Sequence, residues 1–273
     1  MLQNLHTHCR FCDGRDTAEE MIERAIELGF DSLGFSSHAQ TEIHSGCEIK
    51  DVDEYFNTIS ALKKKYEGQI KILLGCELDY YSPGYMPQMD FDYTIGSVHF
   101  AKLPDGRRVT YDHSYDWAKG HLDRDLGGDG LAYARLYFEA VADLPRQLGD
   151  FDIVGHFDLL TKYSEQHPEF IDVDSKAYRN IALEALHAIR EKKEIFEVNT
   201  GAISRGYRVT PYPAPFILDE MRRLDCKLVL SSDCHDRRYL DCHFNEAREL
   251  MRAHGFDTIY YLAEKGNFVG EKL

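Results

Sequence analysis

The sequence lacks the features that mark membrane-bound, repetitive or disordered chains. None of its apolar runs approaches the ~20 residues that a bilayer-spanning helix needs, and its first residues do not form a charged-then-apolar leader. No fixed-period repeat, low-complexity tract or obvious linker interrupts the 273 residues. We therefore expect one domain over residues 1–273, located in the cytoplasm and not bound to a membrane.

Basic residues are also scarce. The chain has 32 lysines and arginines against 47 acidic residues, which gives a net charge of −15. Proteins whose main partner is a nucleic-acid backbone usually carry a basic face. The charge balance therefore argues against a nucleic-acid partner, although it still allows a local basic pocket for a single phosphate group.

Cysteines are few for a disulfide-stabilised protein of this length. Seven cysteines, an odd number, are scattered through the sequence, and this usage is typical of free thiols in a reducing compartment. Cys9 and Cys12 have the spacing of a zinc or redox pair, but a structural zinc site needs a second pair at suitable spacing, which the sequence does not contain. We therefore assign these two residues no metal or redox role.

Short segments rich in β-branched and aromatic residues recur along the chain, and helical patterns separate most of them. These segments are NLH, DSLGFSSH, IKILLGCELD, FDYTIGSVHF, FDIVGHFD, EIFEVNT and KLVLSSDCH. Several are nearly continuous apolar runs, as expected of strands that are covered on both faces. The capping box Thr17-x-x-Glu20 marks the start of one helix. The alternation predicts a parallel α/β barrel or a doubly wound sheet.

A long connection over residues 100–150 separates the fourth predicted strand from the fifth. It contains the sole tryptophan, Trp117, and a Gly-Gly-Asp-Gly cluster that is typical of loops. Long connections in barrels often form a lid or a wall of the substrate pocket. The alternative is a surface excursion without a functional role.

Every predicted strand carries a polar residue at its carboxyl end. These residues are His6 and His8, His38, Glu77, His99, His156, Asn199, and Asp233 with His235. The carboxyl ends of barrel strands converge on one rim, where the chemistry takes place. Any one of these histidines alone would most simply be a hydrogen-bonded core residue. The whole set at equivalent positions indicates a metal site.

The residue types narrow the choice of metal. Imidazoles with carboxylates suit zinc, iron or manganese, whereas calcium and magnesium prefer oxygen ligands. Six imidazoles and at least two carboxylates exceed what one ion can hold, so we expect two or three divalent ions. Two metals about 3.5–4 Å apart commonly hydrolyse phosphate esters, because they lower the pKa of a bridging water and neutralise phosphoryl charge. The pattern therefore predicts a phosphoesterase that uses a metal-bridged hydroxide.

Six motifs follow one another along the chain: His6-Thr7-His8, SSH, GCELD, GSVHF, VGHFD and SDCH. As an ordered set they resemble the polymerase and histidinol phosphatase (PHP) superfamily. The resemblance implies a distorted (β/α)7 barrel of the TIM type and usually three metal ions. It also implies the metal ligands His6, His8, His38, Glu77, His99, His156, Asp233 and His235, with Glu77 bridging two ions. A ninth ligand of the family lies shortly after the first motif. Asp16 is our choice, and Asp13 is the alternative because an Asp-Gly pair can instead be simple turn chemistry.

The later segment EVNTGAISRGYRVTPYPAPFIL resembles the histidinol-phosphatase branch of that superfamily. This resemblance implies hydrolysis of L-histidinol phosphate, a small phosphomonoester, in histidine biosynthesis. A related phosphoesterase acting on another phosphomonoester, a nucleotide or phosphotyrosine would use the same cluster. A catalytically inert metal-binding protein is a further alternative, and the complete ligand set argues against it.

Candidate substrate-binding residues come from loops after the strands. Guanidinium groups match phosphate oxygens bidentately, and Arg205 is the best candidate for this role. Lys162, Arg208 and Asn199 are further candidates for substrate binding. Asp233, or a nearby imidazole such as that of His235, is expected to pass a proton to the leaving oxygen. The alternative is departure of the leaving group beside a metal ion without a proton donor.

Overall fold

The computed structural model describes residues 1–86 and 89–273. Its strands are β1 (Gln3–Asn4), β2 (Ser32–Phe35), β3 (Lys71–Asp79), β4 (Tyr93–Ser97), β5 (Phe100–Lys102), β6 (Arg108–Thr110), β7 (Ile153–Val154), β8 (Ile195–Asn199), β9 (Lys227–Ser231), β10 (Thr258–Glu264) and β11 (Asn267–Lys272). Seven of them form one sheet in the order β1-β2-β3-β4-β7-β8-β9. All neighbouring pairs in this sheet are parallel.

The sheet curls into a nearly closed barrel. A parallel bridge between Thr7 and Cys234 joins the two outer strands just beyond their carboxyl ends, and the amide of His8 donates to the carbonyl of Cys234 over 2.9 Å. The seven strands are those predicted from the sequence. The prediction of a (β/α)7 barrel is therefore confirmed, and the doubly wound alternative is wrong.

Helices follow most of the strands of the barrel along the chain. They are α1 (Ala18–Glu27), α2 (Val52–Lys65), α3 (Tyr115–Leu126), α4 (Gly130–Leu148), α5 (Lys176–Arg190), α6 (Gly201–Ser204), α7 (Pro215–Arg223) and α8 (Phe244–Ala253). The predicted capping box begins α1: the hydroxyl of Thr17 accepts from the amide of Glu20, and the Glu20 carboxylate accepts from the amide of Thr17. Among the described residues, no helix combines the length and apolar character needed to cross a membrane.

The inward faces of the strands change from apolar to polar along their length. Side chains two residues apart on a strand share a face, so Leu73 and Glu77 lie on the same face of β3, as do Ile195 and Glu197 on β8. The apolar members pack in one cluster with Leu5, Tyr93, Ile95, Ile153, Val229 and Leu262. On the same strand faces, apolar side chains therefore fill the amino end of the barrel and charged side chains lie at its carboxyl end.

The long connection between β4 and β7 is folded. It forms the antiparallel hairpin β5–β6 followed by α3 and α4, and it buries Tyr111, Tyr133 and Tyr137. The ring of Tyr111 contacts those of Tyr133 and Tyr137 at centroid distances of 4.7 and 4.8 Å. The hydroxyl of Tyr137 also donates to the carbonyl of His156 over 3.3 Å, which ties the connection to the carboxyl end of the barrel.

The thiols are free, as predicted. All seven cysteines are unpaired, and Cys9, Cys12, Cys76, Cys226 and Cys234 are buried. They pack with the apolar core.

Candidate active site

Nine side chains that can bind a metal converge at the carboxyl end of the barrel. They are His6, His8, Asp13, His38, Glu77, His99, His156, Asp233 and His235. Eight of them are those expected from the sequence motifs. The first and last strands supply residues that are more than 220 positions apart in sequence, and the closure of the barrel brings them together.

Glu77 lies at the centre of the cluster. Its Oε2 lies 2.8 Å from Nδ1 of His38 and 3.3 Å from Nε2 of His6. Its Oε1 lies 3.0 Å from Nε2 of His156 and 3.4 Å from Nε2 of His99. One carboxylate therefore contacts imidazoles from four strand ends, which is the position that a bridging ligand occupies.

The nine residues form four overlapping groups, in each of which the candidate ligand atoms lie within 4.8 Å of one another. The groups are His8-Asp13-His38-His235, His6-His8-Glu77, His6-His156-Asp233 and His38-Glu77-His99. Because His6, His8, His38 and Glu77 each belong to two groups, the arrangement suits adjacent ions with shared ligands better than a single ion.

The cluster contains buried polar atoms that have no hydrogen-bond partner among the described residues. These atoms include Nε2 of His6, Nε2 of His8 and Oε2 of Glu77, because the short contacts of Oε2 with ring nitrogens do not have hydrogen-bond geometry. An unpaired buried polar atom costs free energy, and a metal ion would satisfy all three. The residues present therefore fit a metal centre.

The charges of the cluster favour a bound cation. Burial alone would lower the pKa of His6, but Glu197, Glu77 and Asp233 together raise this pKa well above its ordinary value. Burial raises the pKa of Glu77, yet His6, His99 and His38 outweigh it and lower that pKa well below the ordinary value. The carboxylates thus stay ionised and attract positive charge. Burial, with His235 and His38, lowers the pKa of His8 to about 3, so this imidazole is a neutral ligand.

Asp13, and not Asp16, belongs to the cluster. Oδ1 of Asp13 lies 3.3 Å from Nε2 of His235 and 3.6 Å from Nε2 of His38. The carboxylate of Asp16 instead accepts from the amide of Arg237 over 2.8 Å and lies 3.5 Å from its guanidinium group. Of our two candidates for the ninth ligand, the structure therefore brings the alternative, Asp13, into the cluster and holds the first choice, Asp16, outside it.

The loop geometry explains this difference. The amides of Cys12 and Gly14 both donate to the carbonyl of Cys9, and the amide of Arg15 donates to the carbonyl of His235 over 2.7 Å. A Cβ atom at Gly14 would lie 2.4 Å from the backbone nitrogen of Cys9, so only glycine allows this close turn. The folded-back loop directs Asp13 towards the cluster.

Asp233 and Arg205 form a pair at the edge of the cluster. Nη2 of Arg205 lies 3.1 Å from Oδ2 of Asp233, and Nη1 donates to the Asp233 carbonyl over 3.1 Å. Burial raises the pKa of Asp233, but Arg205 and His6 lower it well below its ordinary value. Asp233 has a φ of 46°, a left-handed conformation that is uncommon for non-glycine residues. A Cβ atom at Gly201 would lie only 2.9 Å from Oδ2 of Asp233, so a larger residue at this position would displace the Asp233 carboxylate.

Two acidic residues behind the cluster were not identified from the sequence. Glu197 accepts from Nδ1 of His6 over 2.9 Å, and Asp79 accepts from the amide of His99 over 3.0 Å and lies 3.2 Å from its Nδ1. Both follow from the period of two, because Glu197 precedes Asn199 by two residues and Asp79 follows Glu77 by two. Carboxylates in this position orient metal-binding imidazoles.

Two predicted substrate-binding residues have other partners in the structure. Asn199 is fully buried; its Nδ2 donates to Glu197 over 2.9 Å, and its Oδ1 accepts from the amide of Gly201 over 2.8 Å. Arg208 donates to Thr161 and Thr210 and lies 3.5 Å from Oε1 of Glu165. The polar atoms of these two side chains are therefore engaged within the protein, and their predicted role in substrate binding stays a prediction.

A cavity of about 530 Å³ opens beside the cluster. Its lining includes His38, His99 and Glu77 from the barrel and Asp112, His113 and Trp117 from the long connection. The indole of Trp117 is 57% exposed, and the His113 ring lies 4.9 Å from it, centroid to centroid. These contacts favour the interpretation of the connection as a pocket wall over that of a surface excursion.

Lys162 lies beside this wall. Its buried ammonium group is 2.5 Å from Oδ1 of Asp112 and 3.0 Å from the Asp112 carbonyl. Burial raises the pKa of Asp112, but Lys162 and His99 outweigh it and lower that pKa to about 2. Asp112 therefore faces the cavity as an anion, and Lys162 lies behind it as the balancing cation.

Sequence relatives extend over most of the chain. A protein of Schizosaccharomyces pombe described as a probable histidinol-phosphatase is 28% identical over 282 residues, which cover 96% of this chain and 89% of that protein. A histidinol-phosphatase of Bacillus subtilis is 28% identical over 253 residues, which cover 84% of this chain and 92% of that protein.

A solved structure has the same fold. It is the histidinol phosphate phosphatase of Lactococcus lactis, described as a complex with zinc, L-histidinol and phosphate, and it aligns with a TM-score of 0.70 at 21% identity over 95% of each chain. The PHP domain family matches residues 4–201, a segment that contains most of the cluster. This chain belongs to the PHP domain family.

Proposed function

We propose that this protein hydrolyses L-histidinol phosphate to L-histidinol and phosphate. The observation that carries the proposal is the nine-residue cluster at the carboxyl end of a PHP barrel, beside a cavity of about 530 Å³. The S. pombe protein described as a probable histidinol-phosphatase and the B. subtilis histidinol-phosphatase match most of this chain, and the L. lactis structure was obtained with L-histidinol and phosphate. We further propose that residues 1–273 act as one cytoplasmic domain in histidine biosynthesis.

The nine clustered residues are the proposed ligands of two or three divalent ions. Zinc is the first choice, because the L. lactis relative was crystallised with it, and manganese and iron accept the same imidazole and carboxylate ligands. When bound, such ions supply a nucleophilic hydroxide near neutral pH and neutralise charge on the phosphoryl oxygens.

Arg205 is the proposed phosphate-binding residue. About a quarter of its side chain is exposed at the edge of the cluster, and its guanidinium group stays charged because Asp233 and Asp112 outweigh the effect of burial and raise its pKa. A fixed cation in this position stabilises the charge that develops on the equatorial phosphoryl oxygens. Lys162 pairs with Asp112, so we propose that it holds this carboxylate in place and does not bind the phosphate directly.

We propose that Asp233 and His235 act as ligands and not as proton donors. Arg205 and His6 keep Asp233 ionised, so its carboxylate has no proton to give. If Nε2 of His235 binds a metal beside Asp13, Nδ1 carries the ring proton, and the Asp233 carbonyl 3.0 Å away accepts it. The leaving alkoxide then takes its proton from water.

The leaving group is proposed to occupy the cavity. Asp112 offers a carboxylate to the ammonium group of histidinol, and the exposed indole of Trp117 offers an apolar face to its imidazole. This pairing of an anion with an aromatic surface favours a small cationic aromatic alcohol over a nucleoside, which has no ammonium group to pair with Asp112.

The test is phosphate release by the zinc-loaded protein from L-histidinol phosphate, compared with other phosphomonoesters, phosphotyrosine, a nucleotide and a nucleotide diester. We expect a preference for histidinol phosphate of several orders of magnitude in kcat/KM. Equal and slow rates on all substrates would agree with a metal-dependent phosphoesterase but would refute the assignment of histidinol phosphate as its substrate. No phosphate release from any substrate by protein with full metal content would favour an inert metal-binding protein.

A further inference from the structure

Glu197 lies behind the metal centre and accepts hydrogen bonds from four directions. Its Oε2 lies 2.9 Å from Nδ1 of His6 and accepts from the hydroxyl of Ser231 over 2.5 Å. Its Oε1 accepts from Nδ2 of Asn199 over 2.9 Å and from the amide of His156. The carboxylate is only 1% exposed, so all of its contacts are with the protein.

Only an ionised carboxylate can accept from all these groups at once. The amide of His156 is a backbone donor and cannot reverse its role. Asn199 is equally fixed, because its Oδ1 accepts from the amide of Gly201 over 2.8 Å, which leaves its Nδ2 facing Glu197. The two partners of the Glu197 Oε2 atom are not fixed as donors in this way, since the hydroxyl group of Ser231 can rotate and a neutral His6 imidazole can exchange tautomers.

We infer that Glu197 is a positioning residue that fixes the tautomer of His6. With one ring proton on Nδ1 bound to Glu197, a metal ion would displace the proton from Nε2 and take its lone pair, at a point where Oε2 of Glu77 lies 3.3 Å away and Oδ1 of Asp233 lies 3.7 Å away. Metal-binding histidines commonly donate their second ring N–H to a carboxylate in this way. The inference rests on the proposed metal centre and assigns Glu197 a role within it.

The substitution Glu197→Gln tests the inference with little change in shape. The new amide must direct its oxygen to the backbone N–H of His156, so its NH₂ group faces His6 and Ser231. The serine hydroxyl can rotate to accept, whereas His6 can accept at Nδ1 only by moving its proton to Nε2. That move removes the lone pair from the metal-facing nitrogen.

The measurement is zinc retention by the purified, zinc-loaded protein during titration with a competing chelator, with bound zinc quantified by mass spectrometry. We expect Glu197→Gln to lose one of its bound zinc ions at an about 10- to 100-fold lower chelator concentration than the wild type. A weakening of this size is typical of losing an outer partner of a metal-binding histidine. A purely structural role for Glu197 would lower thermal stability and leave zinc retention unchanged.

Two control variants separate tautomer control from general effects. Glu194→Gln makes the same change just before β8, where the side chain is 50% exposed and pairs with Lys227. Ser231→Ala removes one donor to Oε2 but leaves the carboxylate in place. Both variants should retain zinc as the wild type does, and weakened retention in either would overturn the assignment to the Glu197–His6 contact.

A measurement on the wild type keeps the inference testable if Glu197→Gln does not fold. Nitrogen-15 NMR of the zinc-loaded protein should show the proton of the His6 ring on Nδ1 and the metal on Nε2. The reverse assignment overturns the inference. Equal zinc retention by wild type and Glu197→Gln overturns the role of Glu197 while the metal centre stands, whereas a wild type that retains no zinc refutes the proposed centre itself.

Discussion

Substitutions of Asp13 and Asp16 are expected to affect zinc binding differently, although the two residues are only three positions apart. We expect Asp13→Asn to weaken zinc binding at least about 10- to 100-fold, because loss of an outer partner already costs that much and Asp13 faces the ions directly. Its Oδ1 lies 3.3 and 3.6 Å from ring nitrogens of His235 and His38, and an amide oxygen there carries no charge. The expected loss corresponds to about 1.4–2.7 kcal/mol or more of binding free energy.

Asp16→Asn should leave the centre intact and affect only local stability. The asparagine oxygen can still accept from the amide of Arg237, whereas the ion pair at 3.5 Å is lost. The guanidinium partner is 42% exposed, so this pair contributes at most about 1 kcal/mol. A change of that size lowers Tm by about 4 °C or less in a protein of this size.

The two variants and the wild type are compared in three assays. Chelator titration and phosphate release use the zinc-loaded proteins, and thermal unfolding uses the metal-free forms. We expect Asp13→Asn to lose zinc retention and kcat together, with a stability change of the metal-free protein within about 1 kcal/mol, because Asp13 is about a third exposed. If Asp16→Asn loses zinc and Asp13→Asn keeps it, the ligand assignment and the loop geometry on which it rests are both refuted.

Three further perturbations test the rest of the site. Arg205→Ala should lower kcat/KM about 10²- to 10³-fold, as expected on removal of a fixed transition-state donor, and near-normal steady-state kinetics with full zinc content would contradict its phosphate role. Trp117→Ala should raise KM about 2- to 10-fold with little change in kcat, because a stacking contact of about 0.5–1.5 kcal/mol is lost equally from substrate and transition state; an unchanged KM would place the imidazole elsewhere. Complete chelation should abolish activity and lower Tm by about 5–10 °C, which corresponds to about 2.7 kcal/mol for an ion at 100 times its Kd, and added zinc should restore both.

The barrel and eight of the nine clustered residues could be predicted from the sequence because both depend on local patterns. Apolar runs of strand length separated by helical stripes identify the sheet, and a polar residue after each run identifies its carboxyl end. Glu197 and Asp79 were within reach of the same reasoning. Each lies two residues from a residue that the motifs mark, on the same face of its strand, but neither lies at the end position on which the prediction depended.

Asp13 and Arg208 were beyond that reasoning because loop contacts decide their positions. The turn at Gly14 depends on a hydrogen bond from Arg15 to the carbonyl of His235, a partner supplied from the far end of the chain after the barrel has closed. Arg208 has the charge and the loop position of a phosphate ligand, yet Thr161, Thr210 and Glu165 occupy its donors. Arg205, three residues earlier, keeps its side chain at the cluster because Asp233 holds it there. A strand fixes the direction of its side chains by its period, whereas a loop residue takes its direction from whichever distant groups satisfy it. A carboxylate or guanidinium group on a loop can therefore be assigned to a site only when its competing partners are known.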